Sequence, residues 1–171
     1  MSTALTAAAL RAAALACVVA CTSLGGCGFH LEGRYHLPAA LAKVRIDSVD
    51  TETDFYFGLR RALLAAGSHL TDDVKDPSAV VIRVLADQTS NVILTVSTLN
   101  VPTEYELTYT VRFAVDAAGG RQLIAPEQRM VVQDYSYAES AQLAKQREQQ
   151  ILTAAMAREL AGVVMRRLST L

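Results

Sequence analysis

The sequence predicts an α+β fold, a two-layer sandwich in which a four-stranded mixed sheet carries two helices on one face. Three observations predict it: apolar and polar residues alternate over residues 104–116, apolar residues recur with helical spacing from Phe55 onward, and a second helical stripe lies near the carboxyl terminus. The element order is strand, helix, three strands, helix. We therefore expect a parallel first pair joined by a right-handed crossover, then antiparallel hairpins, and a sheet face that this chain leaves uncovered.

The first strand and the first helix are indicated by alternation and by capping residues. Residues 43–49 alternate and predict the strand. Thr51 and Thr53 are both candidate N-caps, because a threonine oxygen can accept a hydrogen bond from a free N–H group of the first turn. Gly67 follows the last apolar residue of the helical pattern and predicts the carboxyl-terminal cap.

The middle of the chain predicts two further strands and the turn between them. Residues 79–86 are an almost continuous apolar run, typical of a strand buried on both faces. The polar residues 87–91 indicate a bulge, and residues 92–97 continue in extended form. Residues 98–103 predict a hairpin tip, and residues 104–116 predict a half-buried antiparallel strand.

The last two elements are a strand and a long helix. Residues 122–135 predict the strand, in which Pro126 marks an edge position or a bulge. Residues 141–169 predict the helix, about 43 Å long at about 1.5 Å per residue. Its N-cap stays open between Ser136, which would begin a capping box, and Ser140.

Residues 1–26 have the features of a lipoprotein signal peptide. Arg11 is their one charge, and the apolar stretch after it is shorter than the ~20 residues of a transmembrane helix. A Leu-Gly-Gly-Cys motif ending at Cys27 resembles the lipobox of bacterial lipoproteins, in which the thiol receives a diacylglyceryl group. We therefore predict cleavage before Cys27 and lipidation on it, with residues 27–42 as a lipidated tether and residues 43–171 as a single domain.

The residue after the lipobox indicates where the protein is anchored. An Asp directly after the lipidated Cys usually signals retention in the inner membrane of enteric bacteria, and this chain has Gly28 instead. We therefore expect the outer membrane, with the domain facing the periplasm or lying inside a barrel lumen.

The composition excludes several classes of protein. The precursor has 16 basic and 17 acidic residues, and without Arg11 the mature chain has 15 against 17, a net charge of −2. Nucleic-acid-binding domains are strongly basic instead. The three cysteines all lie within the first 27 residues, so the mature chain could form no internal disulfide. No Cys and His spacing fits a metal site, and no nucleophile, phosphate-loop or dinucleotide motif occurs. The sequence predicts a protein that is not an enzyme and has no cofactor.

Three stretches together resemble the LptE family of lipopolysaccharide-assembly lipoproteins. The family reads Cys-Gly, an aromatic residue, His, Leu and Arg after the lipobox, with a later Leu or Val before Pro; Glu32 replaces the usual Arg here. The matching residues are Cys27-Gly28-Phe29-His30-Leu31 with Leu37-Pro38, then Lys43-Val44-Arg45-Ile46-Asp47-Ser48, then Leu143-Ala144-Lys145 with Glu148, Met156 and Arg166-Arg167-Leu168. The resemblance covers the whole mature chain.

The resemblance implies a structural role in lipopolysaccharide transport. Family members sit as a plug inside the outer-membrane β-barrel LptD, help that barrel to assemble, and take part with it in inserting lipopolysaccharide into the outer leaflet. The implied partners are an LptD-type barrel, lipopolysaccharide and, through the lipid anchor, the membrane. The alternative is an accessory lipoprotein of an ABC-type lipid transporter, which shares the lipobox and an α/β domain.

The resemblance also implies candidate lipopolysaccharide-binding residues. Lys145 matches a family lysine at the start of the last helix, and Arg147 lies beside it. Both could pair with lipid A phosphates. Residues 91–103 contain no Lys or Arg, unlike the corresponding tip in the family. If the helix residues do not bind, the apolar residues 92–99 and Val101 become the better candidates, through contact with acyl chains.

Overall fold

The computed structural model describes residues 35–136 and 142–171. A short 3-10 turn, Ala39–Leu41, precedes the first strand. The strands are β1 (Lys43–Ser48), β2 (His69–Leu70), β3 (Val80–Val96), β4 (Pro102–Asp116) and β5 (Gln122–Ser136), and the helices are α1 (Asp54–Ala65) and α2 (Gln142–Leu168).

The strands form one mixed sheet of five strands in the order β2-β1-β3-β4-β5. The pairs β1–β2 and β1–β3 are parallel, and β3–β4 and β4–β5 are antiparallel. The α+β class, the parallel first pair and the antiparallel hairpins are confirmed. The predicted number of four strands is wrong, because β2 has only two residues and so cannot show an alternating pattern.

Strand β3 differs from the prediction in two respects. Its buried residues alternate with partly exposed ones such as Val81 and Arg83, so it is not buried on both faces. The polar residues 87–91 pair in regular register with residues 107–111, and the register shift lies earlier, between Val84 and Ala86. Because β3 has an antiparallel partner and one face open to solvent, it accepts polar side chains at residues 87–91 without interrupting the strand.

The other boundaries lie close to the predicted ones. The threonine that caps α1 is Thr53, which accepts a hydrogen bond of 3.1 Å from the N–H of Tyr56. Gly67 has φ +92° and closes the helix with the two backbone hydrogen bonds of a Schellman motif. Pro126 lies at a register shift on the edge strand β5. Ser136 ends β5, so it does not cap α2, and Ser140 lies outside the described residues.

Both helices pack on one face of the sheet and enclose the core. Strand β4 contributes every second side chain, including Leu107, Val111 and Phe113, each 1% exposed or less. The two helices approach closely at Gly58, where a Cβ atom would lie 3.5 Å from Cβ of Ala161. The small residues therefore let the helix backbones come together above the sheet.

Part of the predicted tether belongs to the folded domain. Leu41 is 1% exposed and lies in the core, and Tyr35 and Leu37 pack against it. The Tyr35 hydroxyl lies beside α2, 3.0 Å from the position that a Cβ atom on Gly162 would take. The described chain is therefore held on α2 from residue 35 onward, eight residues after Cys27.

A polar contact under the start of α1 ties that helix to the sheet. The Thr53 hydroxyl donates a hydrogen bond of 2.5 Å to the Asp87 carboxylate on β3. Tyr109 of β4 lies beside Asp87 and the backbone of Phe55. Burial, followed by the hydrogen bond and negative charge of Asp87, raises the pKa of Tyr109 above its ordinary value.

The Tyr109 pKa predicts a loss of stability at alkaline pH. The raised pKa in the fold means that Tyr109 contributes stability below the unfolded pKa of about 10, and that this contribution is lost as the pH rises further. We expect Tyr109→Phe to lower the free energy of unfolding at neutral pH by about 1.5–3 kcal/mol, as for a hydrogen bond to a charged group. The difference between the two proteins should shrink above pH ~10. Urea unfolding across pH 7–11 measures it; a constant difference would contradict this role of Tyr109.

Candidate functional site

The sheet face opposite the helices is exposed, and we call it the open face. It is formed by the side chains of β3, β4 and β5 that alternate with the buried core residues. The residues at its centre carry no charge: Gln88, Ser90, Thr108, Thr110, Met130 and Val132. The predicted uncovered face is therefore present in the described part of the chain.

Cross-strand pairing arranges these side chains in rows, and opposed side chains in such rows lie about 4.5–5.5 Å apart. Met130 is 56% exposed and Val132 45%, so the edge strand β5 places two exposed apolar side chains on the open face. One row is Ser90, Thr108 and Val132, and the next is Gln88, Thr110 and Met130. The centre of the open face is thus a surface of small polar and apolar groups.

Charged residues lie only at the margins of this centre. Glu106 and Asp134 pair across β4 and β5 on one side, and Arg112 lies on the other. Further along, Arg83 Nε contacts Asp116 Oδ2 at 2.7 Å, so that these two charges neutralise each other. A partner of the open face therefore meets an uncharged centre between an acidic and a basic margin.

The far end of the β3–β4 hairpin is apolar and exposed, and we call it the apolar tip. Ser97 N–H donates to the Val101 carbonyl at 2.7 Å across the turn, and Asn100 takes a positive φ of 60°. The apolar tip consists of Val92, Ile93, Leu94, Val96 and Leu99, which are between 48% and 76% exposed. These five residues belong to the stretch 92–99 that, together with Val101, is predicted as the alternative lipid contact.

The two predicted basic residues belong to the same helix. Lys145 and Arg147 both lie in α2, and Arg147 is exposed. The Lys145 side chain lies outside the described part, as does the predicted lipidation residue Cys27. Both assignments therefore stay predictions.

A groove lies beside the start of α2. It has a volume of about 510 Å³, and its described lining residues are Asp54, Gln146, Gln149, Gln150 and Thr153. Among these described residues the one charged side chain is Asp54, which would repel an anion. Within residues 35–136 and 142–171 no cluster of three or more His, Cys, Asp and Glu could hold a metal. No helix in this described part is long and apolar enough to cross a membrane.

The sequence reasoning did not assign Met130 and Val132 to the open face. They stand in the run Met130-Val131-Val132, in which apolar character does not alternate. Their exposure follows from the pairing of Met130 with Thr110 and of Val132 with Thr108. Two register shifts lie between the turn and these pairs, so the position of the turn alone does not identify the β5 residues that oppose Thr108 and Thr110.

The fold and its surfaces define an α+β binding domain, which offers a partner a sheet face and a hairpin tip. Residues 41–168 match the model of a protein family, LptE, described as lipopolysaccharide-assembly. The chain belongs to the LptE family, and the resemblance seen in the sequence is confirmed. Membership places it among the envelope lipoproteins of lipopolysaccharide assembly, a family of assembly factors.

Individual relatives are similar over most of the chain. The LPS-assembly lipoprotein LptE of Pectobacterium atrosepticum is 27% identical over 146 residues, which cover 85% of this chain and 78% of that protein. The crystal structure of rare lipoprotein B from Shewanella oneidensis has a TM-score of 0.65 at 24% identity, covering 75% of this chain and 94% of that one. The solution structure of lipoprotein B from Nitrosomonas europaea has a TM-score of 0.66 at 21% identity, covering 83% and 90%. The two structures support the fold.

Proposed function

We propose that this protein is an outer-membrane lipoprotein that occupies the lumen of an LptD-type β-barrel. There it assists the assembly of the barrel and takes part with it in inserting lipopolysaccharide into the outer leaflet. The lipid on Cys27 holds it to the membrane. Family membership supports this role, and the observation that carries it is the open face.

The chemistry of the open face suits the inner wall of a barrel. The lumen of an outer-membrane barrel is polar, whereas its outer surface is apolar. Thr108, Thr110 and Ser90 offer hydroxyl groups that can exchange hydrogen bonds with such a wall. Met130 and Val132 gain from leaving water when the wall covers them, at about 25 cal/mol per Å² of apolar surface.

Permanent complexes bury about 2,000 Å² or more, and an elongated sheet is a suitable surface for such a contact. Strand β3 has 17 residues and β4 and β5 have 15 each. At about 3.3 Å per residue these strands extend for about 50 Å, which exceeds the ~30 Å hydrocarbon core of a bilayer. The open face is therefore long enough to contact a barrel wall over the full height of the barrel.

A charge in the centre of the open face tests this proposal. We expect Met130→Asp to reduce the amount of barrel that co-purifies with the protein at least about tenfold, because an unpaired charge in a closed interface costs about 2–5 kcal/mol. Val74→Asp is the matched control, since Val74 is 72% exposed but lies in the loop between β2 and β3. Affinity purification from detergent extracts, with both proteins co-expressed, measures the captured barrel.

Two results would contradict the proposal. Equal capture by Met130→Asp and the wild type would show that the open face does not contact the barrel. Capture of an inner-membrane ATPase complex in place of a barrel would favour an accessory lipoprotein of a lipid transporter. Depletion of the protein should also lower the amount of folded barrel and of surface lipopolysaccharide.

A further inference from the structure

The outer half of β3 has an open backbone edge within the described part of the chain. Strand β1 pairs with β3 only from Val80 to Val84, and the N–H of Val49 donates to the Val84 carbonyl at 3.3 Å. Beyond that point β3 pairs with β4 on one side, and no described strand lies on the other. Residues 88–93 run in regular register between the shift at Val84/Ala86 and the next shift at Ile93/Thr95, and we call them the free edge. The free edge is about 20 Å long at about 3.3 Å per residue.

The free edge lacks the features that usually prevent an edge strand from pairing. Charged side chains, especially Lys, and proline keep other chains from adding to an exposed edge. The sequence from Gln88 to Val101 has no charged residue and no proline. The edge of β5 is different, because it carries Pro126, Arg129 and Asp134. The β5 edge is therefore protected against strand addition, and the free edge of β3 is not.

Side chains on both faces beside the free edge would also gain from a neighbouring strand. Val92 lies on the open face and Ile93 on the helix side of the sheet, and both are 53% exposed. A strand added to β3 would place its own side chains next to both of them. The open N–H and C=O groups of the free edge can bind an extended polypeptide. Because the free edge has no charged residue, it favours an uncharged segment.

We propose that an extended, uncharged segment of the barrel protein pairs with the free edge and extends this sheet by one strand. This inference rests on the proposed function, which it deepens by naming how the partner is held. The free edge borders the open face through Gln88, Ser90 and Val92, so a partner lying on that face reaches the edge without a gap. Backbone hydrogen bonds then fix the position of the partner, and the open face supplies most of the contact area.

A pair of proline variants separates edge pairing from folding. Neighbouring residues of an antiparallel strand direct their N–H groups to opposite sides, so either Thr89 or Ser90 directs its N–H toward β4 and the other toward the free edge. Proline at the residue whose N–H is directed toward β4 removes a hydrogen bond of the sheet. Proline at the residue whose N–H is directed toward the free edge removes only an N–H that has no partner within the sheet. Of Thr89→Pro and Ser90→Pro, the full-length variant that keeps the wild-type thermal midpoint is therefore the edge-directed one.

We expect the edge-directed proline variant to capture about tenfold less barrel protein than the wild type, because it loses a backbone hydrogen bond and obstructs its neighbours. The alanine variants keep the N–H. Thr89→Ala should capture as much as the wild type, and Ser90→Ala, which loses a hydroxyl of the open face, should still capture clearly more than Ser90→Pro. The control at the protected edge is the better-folded member of Gln133→Pro and Asp134→Pro on β5, which should capture clearly more barrel protein than the edge-directed variant of β3. Hydrogen exchange of the purified complex should show slowed amides in residues 88–93.

The outcomes distinguish this inference from the proposed function. If the wild type captures the barrel and the edge-directed proline variant captures it equally well, strand addition is wrong and the plug role stands. If the wild type captures no barrel, the proposed function fails and the inference fails with it. If the protein alone forms a dimer that the same proline disrupts, a second copy occupies the edge, and the barrel segment is excluded as the occupant.

Discussion

Leu107→Asp is expected to abolish the cooperative unfolding transition of the domain. Leu107 is 1% exposed at the centre of β4, between the sheet and the helices. An aspartate there loses the packing of the leucine and leaves a carboxylate without a partner, at a combined cost of about 5 kcal/mol or more. Domains of this size are stable by about 5–15 kcal/mol, so most or all of the stability is lost.

The neighbouring residue supplies the matched control. Thr108 follows Leu107 in the chain but lies on the open face, where it is partly exposed. The same substitution there, Thr108→Asp, should shift the midpoint only slightly, because water still reaches the carboxylate. Circular dichroism during thermal unfolding of a chain that begins at Gly28 compares the two variants. A wild-type midpoint for Leu107→Asp would show that the faces of β4 have been assigned wrongly.

The faces of β4 were predictable because this strand is half-buried and regular. Residues 104–116 alternate in the sequence, and the structure buries Leu107, Val111 and Phe113 while leaving Arg112 exposed. Strand β2 was not predictable, because its two residues pair with β1 only once the chain has folded. The alternation of apolar and polar residues identifies a strand when one face is consistently apolar. It does not identify a two-residue strand that forms only by pairing with a neighbour.

The open face was predictable as a consequence of topology, but its chemistry was only partly so. Two helices on one side of a sheet leave the other side uncovered, which follows from the order of elements. The exposure of Met130 depends on its register with Thr110, and the shift at Pro126 changes that register by a residue. The assignment of Lys145 and Arg147 as lipopolysaccharide-binding candidates rested on their position at the start of the last helix and on the family resemblance, and it stays a prediction.

Cys27→Ala is expected to leave the protein without a lipid anchor and in its precursor form. The lipobox motif predicts that the Cys27 thiol receives the diacylglyceryl group before the signal peptide is removed. Each buried methylene contributes about 0.8 kcal/mol, and two acyl chains already anchor a protein stably. The loss of the anchor should therefore be the largest single change in membrane affinity that one substitution can cause here.

A second cysteine, Cys21, provides a control that separates the loss of the lipidation site from the loss of a thiol. Cys21→Ala removes a cysteine within the same predicted signal peptide but outside the lipobox, so processing and lipidation should proceed as in the wild type. Intact-mass analysis of membrane extracts should show residues 1–26 removed and acyl mass on Cys27 in the wild type and Cys21→Ala, and neither in Cys27→Ala. Acyl mass on the Cys27→Ala protein, or wild-type cleavage at another bond, would contradict the assignment. The folded domain should be retained in all three, because the core residues Leu41, Leu107 and Met156 lie well beyond the lipobox.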